Sequence, residues 1–260
     1  GEIARYRQIV EPTVAVVTNV AAGHLEGFGS LEGVLREKLS LVESAPLAVV
    51  GTDPPALAAG ARELARRVVT AGLEGAELRP ESVTLDPAGR ATVVTGQARF
   101  TLPLPGRHLA ANAMLAMAVG MHLGLDPRAV GRALERLELP GGRGQVVASG
   151  GLTILNDCYN ANPLSFRAAV ATAQAMRGGR RLVFVAGTMR ELGEESAALH
   201  AAVARELVAL KPDLLAAVGE FAPALDAHRG EFGERLILAD DVPALGQALA
   251  RRLEGNEFVV

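Results

Sequence analysis

The chain has 260 residues, which is enough for a full hydrophobic core, and length alone slightly favours two domains over one. Its 49% hydrophobic and 21% charged residues are typical of a globular protein. A formal net charge of -3 gives no general attraction for nucleic acid. One cysteine excludes an internal disulfide, and no apolar run reaches the roughly 18 residues that a membrane span needs, so we expect a cytoplasmic protein.

The first part of the chain predicts two strand, loop and helix units. TVAVVTN (13–19) is an apolar run that leads through a glycine-rich loop into SLEGVLREKLSLVES (30–44), where apolar residues recur at helical spacing. PLAVVGT (46–52) repeats the strand pattern, and PPALAAGARELARRV (54–68) repeats the helix pattern with prolines in its first turn. We therefore expect neighbouring parallel strands here.

The middle of the chain has a different pattern. Residues 82–106 form short alternating segments separated by DPAG and TGQ, which predicts an antiparallel meander carried on the α/β sheet. Two helices are expected next, over 107–125 and 126–139, the second with Asp126 as N-cap and Pro127 in its first position.

The segment PGGRG (140–144) then breaks the helical pattern, and alternation of strands and helices resumes. The expected elements are a hairpin or strand pair at VVASGGLTIL, the helix PLSFRAAVATAQAM and the strand RLVFVAG. They are followed by ESAALHAAVARELVAL, DLLAAVG, RLILAD and VPALGQALARRL. This order predicts crossover units on a mostly parallel sheet that is buried on both faces. The predicted fold class is α/β, with domains at 1–139 and 140–260.

Polar residues gather in NDCYNANP (156–163), where the strand LTIL ends. Ligands bind at the carboxyl edge of open α/β sheets, so Asp157 is a candidate for accepting hydrogen bonds from a ribose or a metal-bound water. The alternative is that Asp157 and Asn160 only cap the turn into the next helix. Cys158 is expected to be a small buried side chain.

The same segment holds two further candidates. Tyr159 either stacks on a ligand or packs against the sheet. Asn162 is available as N-cap of the next helix, with Pro163 in the first position.

Four more residues outside that segment are candidates, each with a simpler alternative. His24 in the glycine-rich loop either ligates a divalent metal or is only a surface or capping residue. Lys38 lies close to the apolar face of its helix, where lysine usually extends its amine to water. Arg143 in PGGRG either binds phosphate or is a solvated charge, and Asn112 in an apolar helix needs a partner if it is buried.

The segment GTMRELG (187–193) follows a strand and precedes a helix, as a phosphate or carboxylate loop would. The dinucleotide fingerprint is not matched there, and G-x-x-x-x-G-K-[ST] occurs nowhere in the chain. Taken singly, the motifs support only a two-domain α/β protein with a candidate cleft.

Taken in order, five segments resemble the Mur ligase family: TNVAAGHLEGFGSLEGVLREK, GRHLAANAMLAMA, LPGGRGQV, NDCYNANPLSFRAA and GTMRELGEESAALH. The YNANP turn resembles the MurF type, which adds D-alanyl-D-alanine to UDP-N-acetylmuramoyl-tripeptide. The resemblance covers essentially the whole chain. It implies an ATP-dependent ligase of cytoplasmic peptidoglycan precursor synthesis that forms an acyl phosphate and then an amide.

The resemblance also implies a domain assignment. Residues 1–139 would be the later part of a central ATP-binding domain, and residues 140–260 a Rossmann-like C-terminal domain. We expect the chain to start after the family's phosphate loop and to stop before the last domain is complete, so that this fragment alone is inactive. A monomer that acts on small molecules is expected.

The family's metal and phosphate residues map onto three positions. His24 matches the histidine that ligates Mg²⁺, and Lys38 matches the lysine that is carbamylated beside the metal in related ligases. Arg143 matches the arginine that reaches the phosphates of ATP. The resemblance thus implies ATP and Mg²⁺ as cofactors.

The nucleotide and dipeptide residues map onto five positions. Asn112 matches an asparagine that contacts the nucleotide, and Asp157 matches the acid at the ribose. Tyr159, Asn160 and Asn162 are expected near ATP or the dipeptide.

The chain departs from the family pattern in three places. Leu109 stands where an asparagine is usual, Thr188 replaces an aspartate in the G-D-M-x-E-L-G loop, and residues 51–53 replace an N-A-D-D turn near the adenine.

Two alternative functions are kept beside this one. The protein is either a sibling ligase that adds a different amino acid or a non-catalytic α/β nucleotide-binding module.

Overall fold

The computed structural model describes residues 1–138 and 140–260. The chain divides into two compact units, Gly1–Glu138 and Leu139–Val260. The boundary predicted from the sequence lies between residues 139 and 140, and Leu139 itself is outside the described residues. In the part of the chain that the structure describes, no helix is both long enough and apolar enough to cross a membrane.

The first unit combines a parallel sheet with an antiparallel one. Its elements are α1 (Glu2–Val10), β1 (Val14–Val17), α2 (Leu25–Phe28), α3 (Leu31–Leu39), β2 (Leu47–Val50), α4 (Pro55–Leu64), β3 (Val68–Thr70), β4 (Ser82–Leu85), β5 (Arg90–Val94), β6 (Arg99–Pro105), α5 (Arg107–His122) and α6 (Pro127–Leu134). The parallel sheet has the order β1-β2-β3, and β4-β5-β6 form the antiparallel meander that the sequence predicts.

One hydrophobic core joins the two sheets of this unit. The helix α5 buries Ala113, Met114 and Met117 against Leu47 and other residues of β2, and against residues of β5 and β6. The strand β2 is buried along its whole length, which is why its sequence LAVV is continuously apolar and does not alternate. The meander therefore belongs to the core of this unit.

Four predicted helices of the first unit are too long; those expected over 30–44 and 107–125 end at Leu39 and His122. The helix predicted over 54–68 ends at Leu64, because Ala65 is already extended, and Val68 begins the unpredicted strand β3. The β-branched residues Val68, Val69 and Thr70 favour a strand once the neighbouring β2 offers hydrogen bonds. The helix predicted over 126–139 ends at Leu134, although its cap at Asp126 is confirmed.

The second unit is built around one six-stranded sheet. Its elements are β7 (Gln145–Ser149), β8 (Leu152–Asn156), α7 (Pro163–Met176), β9 (Leu182–Ala186), α8 (Ser196–Leu210), β10 (Leu214–Ala217), α9 (Phe221–Asp226), α10 (Arg229–Phe232), β11 (Leu236–Leu238), α11 (Val242–Ala250) and β12 (Phe258–Val259). The strand order is β11-β10-β9-β12-β8-β7, and only the edge pair β7 and β8 is antiparallel. The mostly parallel sheet is confirmed.

The last strand occupies the middle of that sheet. Phe258 of β12 pairs with Thr153 of β8 on one side and with Leu182 of β9 on the other. Before it, the buried carboxylate of Glu257 accepts hydrogen bonds from the backbone N–H groups of residues 254, 255 and 256 at 2.8, 2.9 and 3.0 Å. This turn directs the end of the chain between two strands that are far away in sequence.

Candidate functional site

The turn after β8 is tied to the segment that precedes β7. Oδ1 of Asp157 accepts a hydrogen bond from the N–H of Gly144 at 3.0 Å, and the N–H of Tyr159 donates to the carbonyl of Gly142 at 3.0 Å. Gly142 has φ 77, a conformation that glycine adopts without strain, and a Cβ there would lie 3.4 Å from the backbone nitrogen of Tyr159. The segments PGGRG and NDCYNANP, separate in sequence, therefore form one structural feature at the carboxyl end of β8.

Arg143 and Tyr159 form the exposed face of this feature. The guanidinium carbon of Arg143 lies 4.0 Å from the centroid of the Tyr159 ring, which is 66% exposed. Such a stack orients a guanidinium while its N–H groups stay available to oxygen acceptors. Tyr159 thus does not pack against the sheet, and the arrangement offers an oriented positive charge beside the Asp157 turn.

Cys158 is exposed, and the expectation of a buried thiol is wrong. The apolar strand ends at Asn156, so Cys158 lies beyond the sheet, where the chain turns away from the core.

The two asparagines of the turn have local roles. Oδ1 of Asn162 accepts a hydrogen bond from the N–H of Ser165 at 2.9 Å, and Oγ of Ser165 accepts one from the N–H of Asn162 at 2.9 Å. This reciprocal capping box starts α7 and confirms the predicted N-cap. Asn160 is exposed, and its Oδ1 accepts a hydrogen bond from the N–H of Ala161 at 2.9 Å.

The loop of residues 187–193, called here the β9–α8 loop, is held by buried groups. Met189 and Leu192 are 1% and 2% exposed, while Arg190 and Glu191 between them are exposed. The N–H of Met189 donates to Nε2 of His200 at 2.9 Å, and His200 is a buried residue of α8. His200 is not among the residues predicted from the sequence, where the available signal was a lone histidine on the apolar face of a helix.

A second set of contacts holds the same loop from the side of β10. The N–H of Glu220 donates to Oγ1 of Thr188 at 3.1 Å, and Oγ of Ser196 donates to Oε2 of Glu220 at 3.0 Å. Gly219 has φ 62, and a Cβ there would come within 2.0 Å of Thr188 Oγ1. Thr188 therefore supplies an acceptor oxygen to the turn after β10, which is a role that an aspartate could also fill.

In the first unit, Lys38 points toward the carboxyl end of β1. Its amine donates to the carbonyl of Asn19 at 2.8 Å and is half-buried, so it does not extend freely into water. Burial lowers the pKa of the Lys38 amine. His24, on the same connection between β1 and α3, is exposed with φ 61 and precedes α2.

Asn112 and Leu109 both lie on α5 but face different surroundings. Asn112 is exposed, so its amide needs no buried partner, whereas Leu109 packs against the hydrophobic core of the first unit. A leucine at this position therefore has a packing role that an asparagine would not have.

The turn after β2 packs closely on the turn after β1. A Cβ at Gly51 would lie 1.9 Å from the carbonyl oxygen of Thr18, and the N–H of Val20 donates to the carbonyl of Asp53 at 3.1 Å. The close approach requires glycine at position 51. The departure of residues 51–53 from the family pattern thus lies at the carboxyl edge of the parallel sheet.

The donor atoms bear on the expected metal. In the described ranges, no three or more His, Cys, Asp or Glu side chains are grouped as a metal centre. Mg²⁺ is commonly bound through one or two protein groups, substrate phosphates and water. One imidazole from His24 and one modified side chain at Lys38 fit that mode, whereas an unmodified ammonium is not a ligand.

The structure places the predicted residues in two groups. Arg143, Asp157 and Tyr159 are brought together in the second unit, with Asn160 and Asn162 on the same turn. His24, Lys38 and Asn112 belong to the first unit.

Comparison with known proteins covers both units. The family model described as the Mur ligase middle domain matches residues 1–120, and the model described as the Mur ligase glutamate ligase domain matches residues 142–260. The chain is 34% identical over 242 residues to the Escherichia coli UDP-N-acetylmuramoyl-tripeptide–D-alanyl-D-alanine ligase, covering 88% of this chain and 53% of that protein. The chain spans about half the length of the curated relatives it matches.

Solved structures agree with these matches. A crystal structure of MurF from Acinetobacter baumannii superposes with a TM-score of 0.84 at 26% identity, over 99% of this chain and 58% of that one. The Thermotoga maritima MurF ligase in complex with ADP superposes with a TM-score of 0.81 at 26% identity, over 100% of this chain and 60% of that one.

Proposed function

Because this chain belongs to the Mur ligase family, we propose that the protein containing it uses ATP to join D-alanyl-D-alanine to UDP-N-acetylmuramoyl-tripeptide in peptidoglycan precursor synthesis. The observation that carries the proposal is the 34% identity to the Escherichia coli ligase of that name, which extends over 88% of the chain and thus through parts of both units. The ADP bound to a similar MurF structure supports ATP as the nucleotide.

The proposed reaction has two steps. The terminal carboxylate of the tripeptide takes the γ-phosphoryl group of ATP, which gives an acyl phosphate and ADP. The free amine of D-alanyl-D-alanine then attacks the acyl carbon, a C–N bond forms, the C–O bond to phosphate breaks, and the amine loses a proton. The protein's main contributions to such a reaction are positioning and neutralisation of developing charge.

The feature at the end of β8 is suited to part of this task. We assign Arg143 to the phosphates of ATP, because its guanidinium is exposed and oriented by the Tyr159 ring. Asp157 is assigned to the ribose hydroxyls, with Oδ1 fixed by the N–H of Gly144. Tyr159 and Asn160 are assigned to the nucleotide surroundings, and Asn160 and Asn162 to the dipeptide side of the same turn. Asn112 is assigned to the nucleotide from the first unit.

His24 and Lys38 are assigned to the metal side of the nucleotide. Mg²⁺, when bound, would neutralise phosphate charge. The lowered pKa of the Lys38 amine favours its neutral form, which is the form that reacts with CO₂ to give a carbamate. The imidazole of His24 and the carbamate oxygens would then hold the ion.

A product assay tests the proposed function. The full-length protein is incubated with ATP, Mg²⁺, UDP-N-acetylmuramoyl-tripeptide and D-alanyl-D-alanine, and the product is identified by mass spectrometry together with ADP release. We expect one dipeptide added per ADP. Addition of a different amino acid instead would identify a sibling ligase, and ATP binding without any amide product would indicate a non-catalytic module.

Three further expectations accompany this assay and stay predictions. The 260-residue chain alone should form no product, since it contains no G-x-x-x-x-G-K-[ST] phosphate loop. The full-length protein should be a monomer by light scattering. It should fractionate with the cytoplasm and bind no nucleic acid.

A further inference from the structure

We propose that His200, in its neutral form with the proton on Nδ1, is a positioning residue for the ligation, acting by holding the β9–α8 loop at the carboxyl edge of the second unit's sheet. The inference rests on the proposed function for the reaction itself. It concerns a residue that contacts the loop backbone and lies beneath the surface.

The hydrogen bonds of His200 define its tautomer. Since the N–H of Met189 donates to Nε2 at 2.9 Å, Nε2 carries a lone pair and no proton. Nδ1 lies 2.8 Å from the carbonyl oxygen of Ser196, which can only accept, so Nδ1 carries the proton. The ring is therefore neutral and donates on one side while it accepts on the other.

The orientation of the ring is fixed by its surroundings. The His200 ring meets the ring of Phe221 edge-on, with centroids 4.7 Å apart, and the residue is 1% exposed. Oε2 of Glu220 lies 3.9 Å from Nδ1 of His200 and accepts a hydrogen bond from Oγ of Ser196 at 3.0 Å. Rotation of the imidazole would break both ring hydrogen bonds inside a packed site, which is costly.

The contacts close a ring of residues around the start of the loop. His200 holds Met189, Ser196 links His200 to Glu220, and the N–H of Glu220 returns to Thr188. Two consecutive loop residues are thus held by α8 and by the turn after β10 at the same time.

The held part of the loop supports an unfavourable backbone conformation. Glu191 has φ 62, which is uncommon for a residue other than glycine and persists where surrounding structure fixes it. Buried Met189 and Leu192 flank the exposed Arg190 and Glu191, so the hydrogen bond from Met189 to His200 determines where the exposed part begins. The loop follows β9, and ligands of open α/β sheets bind at this edge.

Two substitutions separate positioning from simple packing. In His200→Gln, the amide oxygen can replace Nε2 as the acceptor for Met189, while the donor to Ser196 is lost. In His200→Asn, the amide nitrogen can replace Nδ1 as the donor to Ser196, while the acceptor for Met189 is lost. Both variants remove the imidazole and one hydrogen bond, so the melting temperature of each is measured and their activities are compared at temperatures where both are fully folded.

The experiment measures kcat/KM for D-alanyl-D-alanine with the full-length protein, together with hydrogen–deuterium exchange of the peptide containing residues 187–193. We expect His200→Gln to retain kcat/KM within about threefold of the wild type and to keep slow exchange. His200→Asn should lose roughly 10- to 100-fold in kcat/KM, because the loop is misplaced, and should exchange faster.

The outcomes are distinct for the two proposals. Equal losses of kcat/KM in the Gln and Asn variants, in proportion to their melting temperatures, would overturn the positioning role, as would faster exchange in the Asn variant without loss of kcat/KM. A wild-type protein that forms no amide would count against the proposed function, and the exchange measurement would still decide whether His200 holds the loop.

Discussion

Two connections leave the carboxyl edge of the same sheet and are built in opposite ways. The turn after β8 is held by backbone hydrogen bonds and local caps, which leaves Arg143, Tyr159 and Asn160 exposed. The loop after β9 is held by buried side chains, with His200 beneath it. Side chains of the first connection are therefore available to a ligand, whereas in the second the buried Met189 and Leu192 fix the backbone on either side of the exposed residues 190 and 191.

The largest expected effect tests whether the turn after β8 takes part in the reaction. Asp157→Asn keeps an oxygen to accept the N–H of Gly144 but removes the negative charge. We expect turnover by the full-length protein to fall about 100-fold, equivalent to about 2.7 kcal/mol, with the free energy of unfolding changed by less than about 0.5 kcal/mol. Glu206→Gln, at an exposed ion pair on α8, is the control and should change neither quantity. Wild-type turnover in Asp157→Asn would remove this residue from the site.

The next effect tests whether close packing beneath the β9–α8 loop stabilises the fold. Gly219→Ala would place a methyl group 2.0 Å from Thr188 Oγ1 in a residue with φ 62, so we expect the free energy of unfolding to drop by about 2 kcal/mol in urea titrations. The matched control is Gly246→Ala in α11, where a Cβ would meet nothing within 4 Å; it should be neutral or stabilising by up to about 1 kcal/mol. Equal stability of both variants would contradict the close packing under the loop.

A smaller effect, dependent on pH, concerns the turn before β12. Burial alone would raise the pKa of Glu257, but backbone N–H groups donating to its carboxylate outweigh burial and lower that pKa from 4.5. A lowered folded-state pKa means that ionised Glu257 stabilises the fold above the unfolded pKa and loses this contribution as the pH falls through the folded pKa.

Glu257→Gln should therefore lower the free energy of unfolding by about 1–2 kcal/mol at pH 7, because backbone donors lose an ionised acceptor. The difference in unfolding free energy from the wild type should shrink as the pH falls below 4.5. The control is Glu206→Gln, at an exposed ion pair on α8, which should leave the free energy of unfolding unchanged. A difference in unfolding free energy that grows toward acid pH would contradict the stabilising role of ionised Glu257.

The smallest effect tests how much the helix cap in the turn after β8 contributes to stability. Asn162→Ala removes the side-chain acceptor of the capping box at α7 and should lower the free energy of unfolding by about 1 kcal/mol. Asn160→Ala, at the exposed neighbour, should stay within about 0.5 kcal/mol of the wild type. If both asparagines mattered equally for stability, the turn would depend less on its cap than the geometry indicates.

The sequence predicted well what neighbouring residues decide together. The hairpin of β7 and β8 turns at Gly150 and Gly151, both with positive φ, and the start of α7 follows from Asn162 and Pro163. The meander and the helix cap at Asp126 are also local patterns. The ends of α4 and α6 were placed too late, because their residues lack a strong stop signal and neighbouring structure decides where they end.

The candidate site was accessible from the sequence only in part. Polar residues at a strand end pointed to Asp157 and Tyr159, but the stack of Arg143 on Tyr159 depends on two segments meeting at Gly142. Lys38 was assigned to the metal only through the family resemblance, and its hydrogen bond to Asn19 requires α3 to meet the loop that follows β1. His200 was a lone histidine on an apolar helix face, and its hydrogen bond to Met189 joins residues eleven apart that meet only in the fold.

The sequence by itself determined the alternation of strands and helices, the caps and the glycine turns, because these depend on backbone preferences and side chains within a few residues. Only the tertiary structure decided that β12 lies between β8 and β9, that Glu257 is buried, and that His200 meets the loop after β9. Those features pair groups from distant parts of the chain. Their stability comes from hydrogen bonds and burial that no local stretch of sequence contains.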